Sequence, residues 1–218
     1  MKITYLAHAS FLLVTEAGTR IVTDPLDPEG YPGKLNYRRF DEPADVVTIS
    51  HEHADHGGTK VVKGSPIVIR GAGKFRANEV DFLGVATFHD GQRGAERGDN
   101  TVFIITVDGM RIAHMGDLGH VLTADQAAEI GAVDIAMIPI GGYYTIDAAE
   151  AETVAGQVGA RLVIPMHYKT PKCGFPISGL EPFVEGKTNV TQPGGSNLEV
   201  SAETLPSEQR IVALEPAL

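Results

Sequence analysis

The chain opens with three short strand-like runs, Lys2–Leu6, Ser10–Thr15 and Arg20–Thr23, the first of which alternates polar and apolar residues. Glu16-Ala17-Gly18 supplies a turn between the second and third, so the opening predicts a β-meander. Leu26–Pro43 is rich in Pro, Gly and Asp and shows no sustained period, which predicts a long surface loop; loops of that length are often lids. Val46–Ser50 reads as a short buried strand. Further strands are expected at Pro66–Ile69, Val80–Phe88, Thr101–Val107 and Arg111–Met115, the last two joined by the hairpin signal Asp108-Gly109. Thr123-Ala124-Asp125-Gln126 and Asp147-Ala148-Ala149-Glu150 have the form of capping boxes and predict helices ending near Gly131 and Gly159. Strands at Asp134–Ile138 and Arg161–Ile164 follow those helices. From Lys172 to Leu218 the periodicity weakens, leaving a helical turn around Glu181–Glu185 and a strand at Arg210–Leu214. No internal repeat interrupts this order, and residues 1–218 are expected to form a single domain.

Composition narrows the function class. Eighteen basic against 28 acidic residues give a net charge of −10, which disfavours a nucleic-acid partner. Cys173 is the single cysteine, so no intrachain disulfide can form and a reducing cytoplasm is the default expectation. His8 breaks the apolar character of the N-terminal stretch, which lacks the core of a secretory signal. Nowhere does an apolar run reach the length of about 18 residues needed for a membrane span.

The densest chemistry directly follows the predicted strand Val46–Ser50. His51, His53 and His56 lie within six residues with Asp55 among them, and all four are ligand types that zinc accepts. In an extended segment His51 and His53 project to one side, and a turn after them swings Asp55 and His56 toward a second ion. The bland alternative is a solvated polar loop, but nothing structural calls for three clustered imidazoles.

His-x-His-x-Asp-His after a strand resembles the signature of the metallo-β-lactamase-fold hydrolases. The resemblance extends to His89 in Thr-Phe-His-Asp, Asp117 in His-Met-Gly-Asp and His167 in Pro-Met-His-Tyr, each after a strand-like run and in the expected order. It implies an α+β fold, the four-layer αββα sandwich, with two Zn²⁺ ions per chain in a cleft between the sheets. His51, His53 and His89 would hold the first ion and Asp55, His56 and His167 the second, with Asp117 bridging. The opening strand, Thr23-Asp24-Pro25, the Gly116-to-Gly119 segment and Pro165-Met166-His167-Tyr168 look most like the small zinc hydrolases related to ascorbate-phosphate lactonases and N-acyl-phosphatidylethanolamine phospholipase D. This chain is shorter than those enzymes, with no added substrate domain. Relatives with a redox diiron centre resemble the pattern with a glutamate at position 53, so His53 favours zinc over iron, with manganese as an alternative.

That resemblance implies a hydrolase in which a hydroxide held between two metals attacks an ester, lactone or phosphodiester bond of a small intracellular metabolite. Asp55 is the expected catalytic residue beside the metals, and His120 is the second candidate, as a substrate contact. Asp24 resembles the aspartate that braces the metal loop. His8 is read either as reaching the pocket or as structural, and His114 either as packed or as supporting the ligands from behind. Arg93 and Arg97 follow His89 closely and could meet an anionic substrate group, with solvated loop charges as the plainer reading. Gly141-Gly142-Tyr143-Tyr144-Thr145 could supply backbone donors or aromatic walls, or simply a tight turn. Two further function readings stay open: a nuclease that processes RNA or DNA with the same metals, and a non-catalytic zinc-binding scaffold.

Overall fold

The computed structural model describes residues 1–218. Its strands are β1 (Lys2–Ala7), β2 (Ser10–Val14), β3 (Arg20–Thr23), β4 (Val46–Ile49), β5 (Ile67–Arg70), β6 (Gly73–Ala77), β7 (Val80–Phe88), β8 (Asp99–Val107), β9 (Met110–His114), β10 (Ile135–Pro139), β11 (Leu162–Met166), β12 (Val190–Thr191), β13 (Asn197–Glu199) and β14 (Arg210–Val212). The helices are α1 (Ala124–Ile130), α2 (Ala148–Gln157) and the single turn α3 (Glu181–Val184). Six strands form one sheet in the order β13-β1-β2-β3-β4-β5, and eight form the other in the order β12-β14-β11-β10-β9-β8-β7-β6.

Alternation along the strands decides which face meets which layer. In the six-stranded sheet Ile3, Tyr5, Phe11, Leu13, Ile21 and Val46 point inward and pack in one large core with Phe103, Ile105, Ile112 and Met137 of the other sheet. Their neighbours Leu12, Val22, Val47 and Ile49 point outward and are covered by Phe40, Val61 and Val62. The layer outside this sheet is therefore thin, a loop plus the 3-10 turn Thr59–Val61. The helical layer lies on the eight-stranded side, where α1 contacts β7 and α2 contacts β10.

The expected hairpin and caps are present. Asp108 and Gly109 have φ of 51° and 72°, both left-handed, as a two-residue turn between twisted strands requires. Thr123 accepts from the Gln126 backbone N–H and Asp147 from those of Ala149 and Glu150, while the side chains of Gln126 and Glu150 accept from the respective cap residues. Three strands lie outside the sequence expectation. β6 turns into β7 through Asn78-Glu79, both with positive φ, but that pair lacks the glycine by which such turns are recognised. β12 and β13 are only two and three residues long and sit at sheet edges, too short to carry a period.

The loop 26–43 is tied down at many points. Asn36 N–H donates to Lys172 O, Gly174 N–H to Lys34 O and Asp27 N–H to Ala54 O. Tyr37 and Leu35 are buried with Leu26, Cys173 and Ile177 in a small core of their own. This stitching fixes the loop against both the histidine segment and residues 172–177.

Parallel pairing of β3 with β4, and of β9, β10 and β11 with one another, brings many strand C-termini to one edge. The sequence-predicted ligands follow those ends, except His89, which follows β7, a strand antiparallel to β8 and so running the same way as β9. Replacing the α2 cap, Asp147→Ala, removes the acceptor for two backbone donors and should lower unfolding free energy by about 0.5–2 kcal/mol. Urea denaturation would register this as a lower midpoint at unchanged slope; an unchanged midpoint would show that the cap contributes nothing.

Candidate metal centre

Seven side chains converge at that edge. Asp117, after β9, lies at the centre: His89 Nε2 is 3.1 Å from Oδ2, His167 Nε2 3.5 Å and His51 Nε2 3.8 Å from the same oxygen, and His56 Nε2 3.1 Å from Oδ1. His51, His53 and His89 offer ligand atoms within 4.8 Å of one another, as do His56, Asp117 and His167. Asp55 Oδ2 stands 3.7 Å from His56 Nε2.

A buried carboxylate behind the cluster orients it. Asp24 Oδ1 accepts from Ser50 N–H at 2.8 Å, and Oδ2 accepts from the Ser50 hydroxyl and, at 2.7 Å, from His56 Nδ1. Ser50 Oγ in turn accepts from His51 Nδ1 at 3.0 Å. With Nδ1–H used in this way both rings turn Nε2 toward the centre, where His51 Nε2 lies 3.0 Å from His53 Nδ1 and His56 Nε2 lies 3.1 Å from Asp117 Oδ1. Asn100 sets Asp117, its Oδ1 accepting from Asp117 N–H at 3.0 Å while its amide donates to Met115 O and Thr87 Oγ1.

Backbone conformation at the strand ends is equally specific. His8, Asp24 and His167 adopt left-handed φ of 49°, 43° and 51°, each costing on the order of 1–3 kcal/mol. His167 N–H donates to His8 O at 2.8 Å and so ties the two sheets together at the site. Gly116 and Gly119 bracket Asp117 where no side chain fits. A Cβ on Gly116 would stand 2.5 Å from Ser50 Cβ, and one on Gly119 would stand 2.3 Å from both His89 C and Asp90 N.

The electrostatics favour a cation. Burial alone would raise Asp117, but His167 and His56 hold it well below the usual carboxylate range. Asp55 is likewise drawn down, against burial, by His56 and His8. Burial and the nearby charge of His56 push His51 down to about 3, and burial and His167 push His8 down to about 4, so both rings are neutral at pH 7. His56 goes the other way: burial opposes its charge, yet Asp117, Asp55 and Asp24 raise it well above the ordinary imidazole range. The same three carboxylates that favour positive charge on His56 would favour a bound cation.

Unpartnered atoms carry the same message. Buried polar atoms without a hydrogen-bond partner are rare in folded proteins, and six of the seven in this chain lie here: both ring nitrogens of His8, His56 Nε2, Asp117 Oδ1, and Nδ1 of His89 and His167. The 3.1 Å approach of His56 Nε2 to Asp117 Oδ1 is not aligned as a hydrogen bond. Ring nitrogens and carboxylate oxygens gathered this closely, several of them without a partner, are what a bound metal satisfies, so the residues fit such a group.

Neighbouring residues sort themselves by what they touch. His8 is buried with Nε2 3.5 Å from Asp55 Oδ2 and its ring 4.0 Å from that of His167, so it reaches the cluster. His114 is packed, donating to Ala9 O at 2.7 Å. His120 corrects the expectation of a substrate contact. Its Nε2 accepts from Phe88 N–H at 3.2 Å, its Nδ1 donates to Val121 O at 2.8 Å, and it does not line the cleft. Those backbone bonds consume both nitrogens, so the ring braces the end of β7. Arg93 is also absent from the cleft, whereas Arg97 and Tyr144 line it beside His53, Asp55, His89, Asp117 and His167. Tyr31 and Phe175 complete the wall of this cleft of about 190 Å³. Neither was expected: Tyr31 lies in a loop without period, and Phe175 in a segment whose docking depends on long-range pairing. Larger grooves exist, one of about 700 Å³ between β12, β14 and residues 198–210, but it holds none of these histidines.

The profile of the beta-lactamase superfamily domain matches residues 2–167. A UPF0173 metal-dependent hydrolase of Methanoculleus marisnigri is 32% identical, covering 93% of this chain and 98% of the relative. This chain belongs to the metallo-β-lactamase superfamily of metal-dependent hydrolases. A Thermotoga maritima crystal structure, described as a Zn-dependent hydrolase of the metallo-β-lactamase superfamily, superposes with a TM-score of 0.81 at 40% identity over 98% of both chains. A metal-dependent hydrolase structure from Parabacteroides distasonis, at 21% identity and a TM-score of 0.61 over 84% and 88% of the two chains, shares the fold. No helix of this hydrolase is long and apolar enough to cross a membrane.

Gly119→Ala tests how tightly the Asp117 turn is wedged against His89. Forcing a methyl into backbone should cost about 1–3 kcal/mol of stability and at least tenfold in metal affinity, read by thermal melting and by competition with a chelator. Wild-type metal affinity in the variant would show that the turn has room to spare.

Proposed function

We propose that the protein is a dinuclear zinc hydrolase acting as one domain in the cytoplasm on an ester, lactone or phosphodiester bond of a small metabolite. The observation that supports it best is the gathering of His51, His56, His89 and His167 around Asp117, with His53 and Asp55 beside them and with His56 Nε2, Asp117 Oδ1 and Nδ1 of His89 and His167 left without a hydrogen-bond partner. His51, His53 and His89 would hold one ion and Asp55, His56 and His167 the other, with Asp117 shared between them. Such a pair supplies an activated water at neutral pH and polarises the bond to be cleaved.

The chain's own residues then have distinct tasks. Asp24 holds His56 directly and His51 through Ser50, fixing the tautomers that direct Nε2 to the centre. Asp55, anionic and facing the cleft, orients the attacking water and accepts or relays its proton. His8 steadies Asp55 from behind. Tyr31, Tyr144 and Phe175 shield one side from solvent. Zinc is favoured because three imidazoles, including His53, face one position; manganese is the alternative.

The cleft volume bears on the substrate. About 190 Å³ is below the 300–1,000 Å³ usual for drug-sized ligands, which suits a compact metabolite. That volume and the net charge of −10 weigh against a nuclease. The open cleft beside the ligands weighs against a non-catalytic zinc-binding scaffold, which would need no room for a substrate.

A screen of chromogenic phosphodiester, lactone, ester and thioester substrates before and after chelation tests this reading. Turnover should appear in one class, vanish with the metals and return on adding zinc. Asp55→Ala should reduce kcat at least 100-fold while the His51, His53 and His89 position still binds metal. Chelator-insensitive turnover, or full activity in Asp55→Ala, would contradict the assignment.

A further inference from the structure

Among the nine residues that line the cleft, Arg97 is the only cation. Its place is set by an unusual staple. The buried Asp90 carboxylate accepts four backbone N–H bonds, from Gln92 at 2.8 Å and Gly94 at 2.9 Å on Oδ1, and from Glu96 at 3.0 Å and Arg97 at 2.7 Å on Oδ2. Asp90 directly follows His89, so one carboxylate fixes the arginine relative to a proposed metal ligand. Three left-handed residues, Arg93, Gly94 and Gly98, let the loop close around it.

The guanidinium itself is lightly engaged. Only Nη1 has a protein partner, Glu96 Oε2 at 3.2 Å in a solvent-facing pair, an interaction of little strength. Its carbon lies 5.8 Å from the centre of the Tyr144 ring. Tyr144 meets Phe175 edge-on at 5.5 Å, and Phe175 meets Tyr31 at 5.4 Å, giving a continuous aromatic wall. Burial and the Asp55 carboxylate push the Tyr31 phenol above its ordinary range, which keeps it a neutral donor. A planar cationic fork beside flat apolar surface, across from carboxylates that metals would neutralise, matches a ligand with one oxyanion and a compact apolar body.

We propose that Arg97 is the specificity residue of this cleft, anchoring a terminal carboxylate or phosphate of a small substrate whose body lies against Tyr144 and Phe175. The inference rests on the hydrolase reading for where the scissile bond lies, but the anchor is measurable by binding alone. Substrates bearing an oxyanion away from the scissile bond would be selected over neutral analogues.

Calorimetric titration of the zinc-loaded protein with benzoate, phenylphosphonate and neutral benzamide tests it in wild type, Arg97→Gln and Arg97→Lys. The Asp90 staple uses the Arg97 backbone, so these variants keep the loop, which matching melting curves would verify. At least one anion should bind wild type fivefold or more tightly than Arg97→Gln, with Arg97→Lys between them and benzamide insensitive to all three. The anion that shows this dependence identifies carboxylate or phosphate as the recognised group. Affinities for both anions within twofold across the variants, or no anion binding to wild type, would overturn the anchor. Failure of the hydrolase reading would appear separately, as wild-type protein that binds an anion through Arg97 yet turns over no substrate.

Discussion

A buried carboxylate bearing its charge in the interior is costly, by several kcal/mol per ion even after relaxation, and the site depends on Asp24 being kept there. Burial would raise its pKa, yet His114 and His56 hold it down, and the Ser50 backbone and hydroxyl add donors. In return Asp24 fixes the direction of His56 directly and of His51 through one hydroxyl. Without that anchor two of the inward-facing imidazoles would be free to rotate, and the bare nitrogens opposite Asp117 would have no defined positions. The left-handed backbone at Asp24 itself is part of the same arrangement, aiming the carboxylate back under the loop that follows β4.

The two sheets serve this arrangement by ending their strands in the same place. β1, β3 and β4 deliver His8, Asp24 and the histidine loop from one sheet, while β7, β9 and β11 deliver His89, Asp117 and His167 from the other. The large shared core holds the sheets face to face, and the bond from His167 to His8 closes the edge where they meet. The stitched loop 26–43 and its pairing with residues 172–174 place Tyr31 and Phe175 in the wall of the cleft.

Much of this was legible in the residues because it is local. The His51-to-His56 spacing, the caps at Thr123 and Asp147, and the Asp108-Gly109 turn all express chemistry between near neighbours, and both the family and the two-sheet fold followed from the ordered series of strand-end residues. What escaped depends on distant parts of the chain. Phe175 reaches the cleft only because residues 172–174 pair with 34–36, and the Asn78-Glu79 turn works without the usual glycine. His120 looked like a substrate contact because it is three residues from Asp117, but the turn at Gly119 carries it outward, where Phe88 N–H at the end of β7 and Val121 O occupy its two nitrogens. Asp90 gave no signal beyond adjacency to His89, since a carboxylate that gathers four backbone donors is defined by the loop it folds.

The central claim is that these side chains form a site for two metal ions, and elemental analysis of protein purified without added metal measures it most directly. The account predicts close to two ions per chain, predominantly zinc, and fewer than two after His56→Ala. Protein that carries no metal, and takes up none when zinc is supplied, would contradict it.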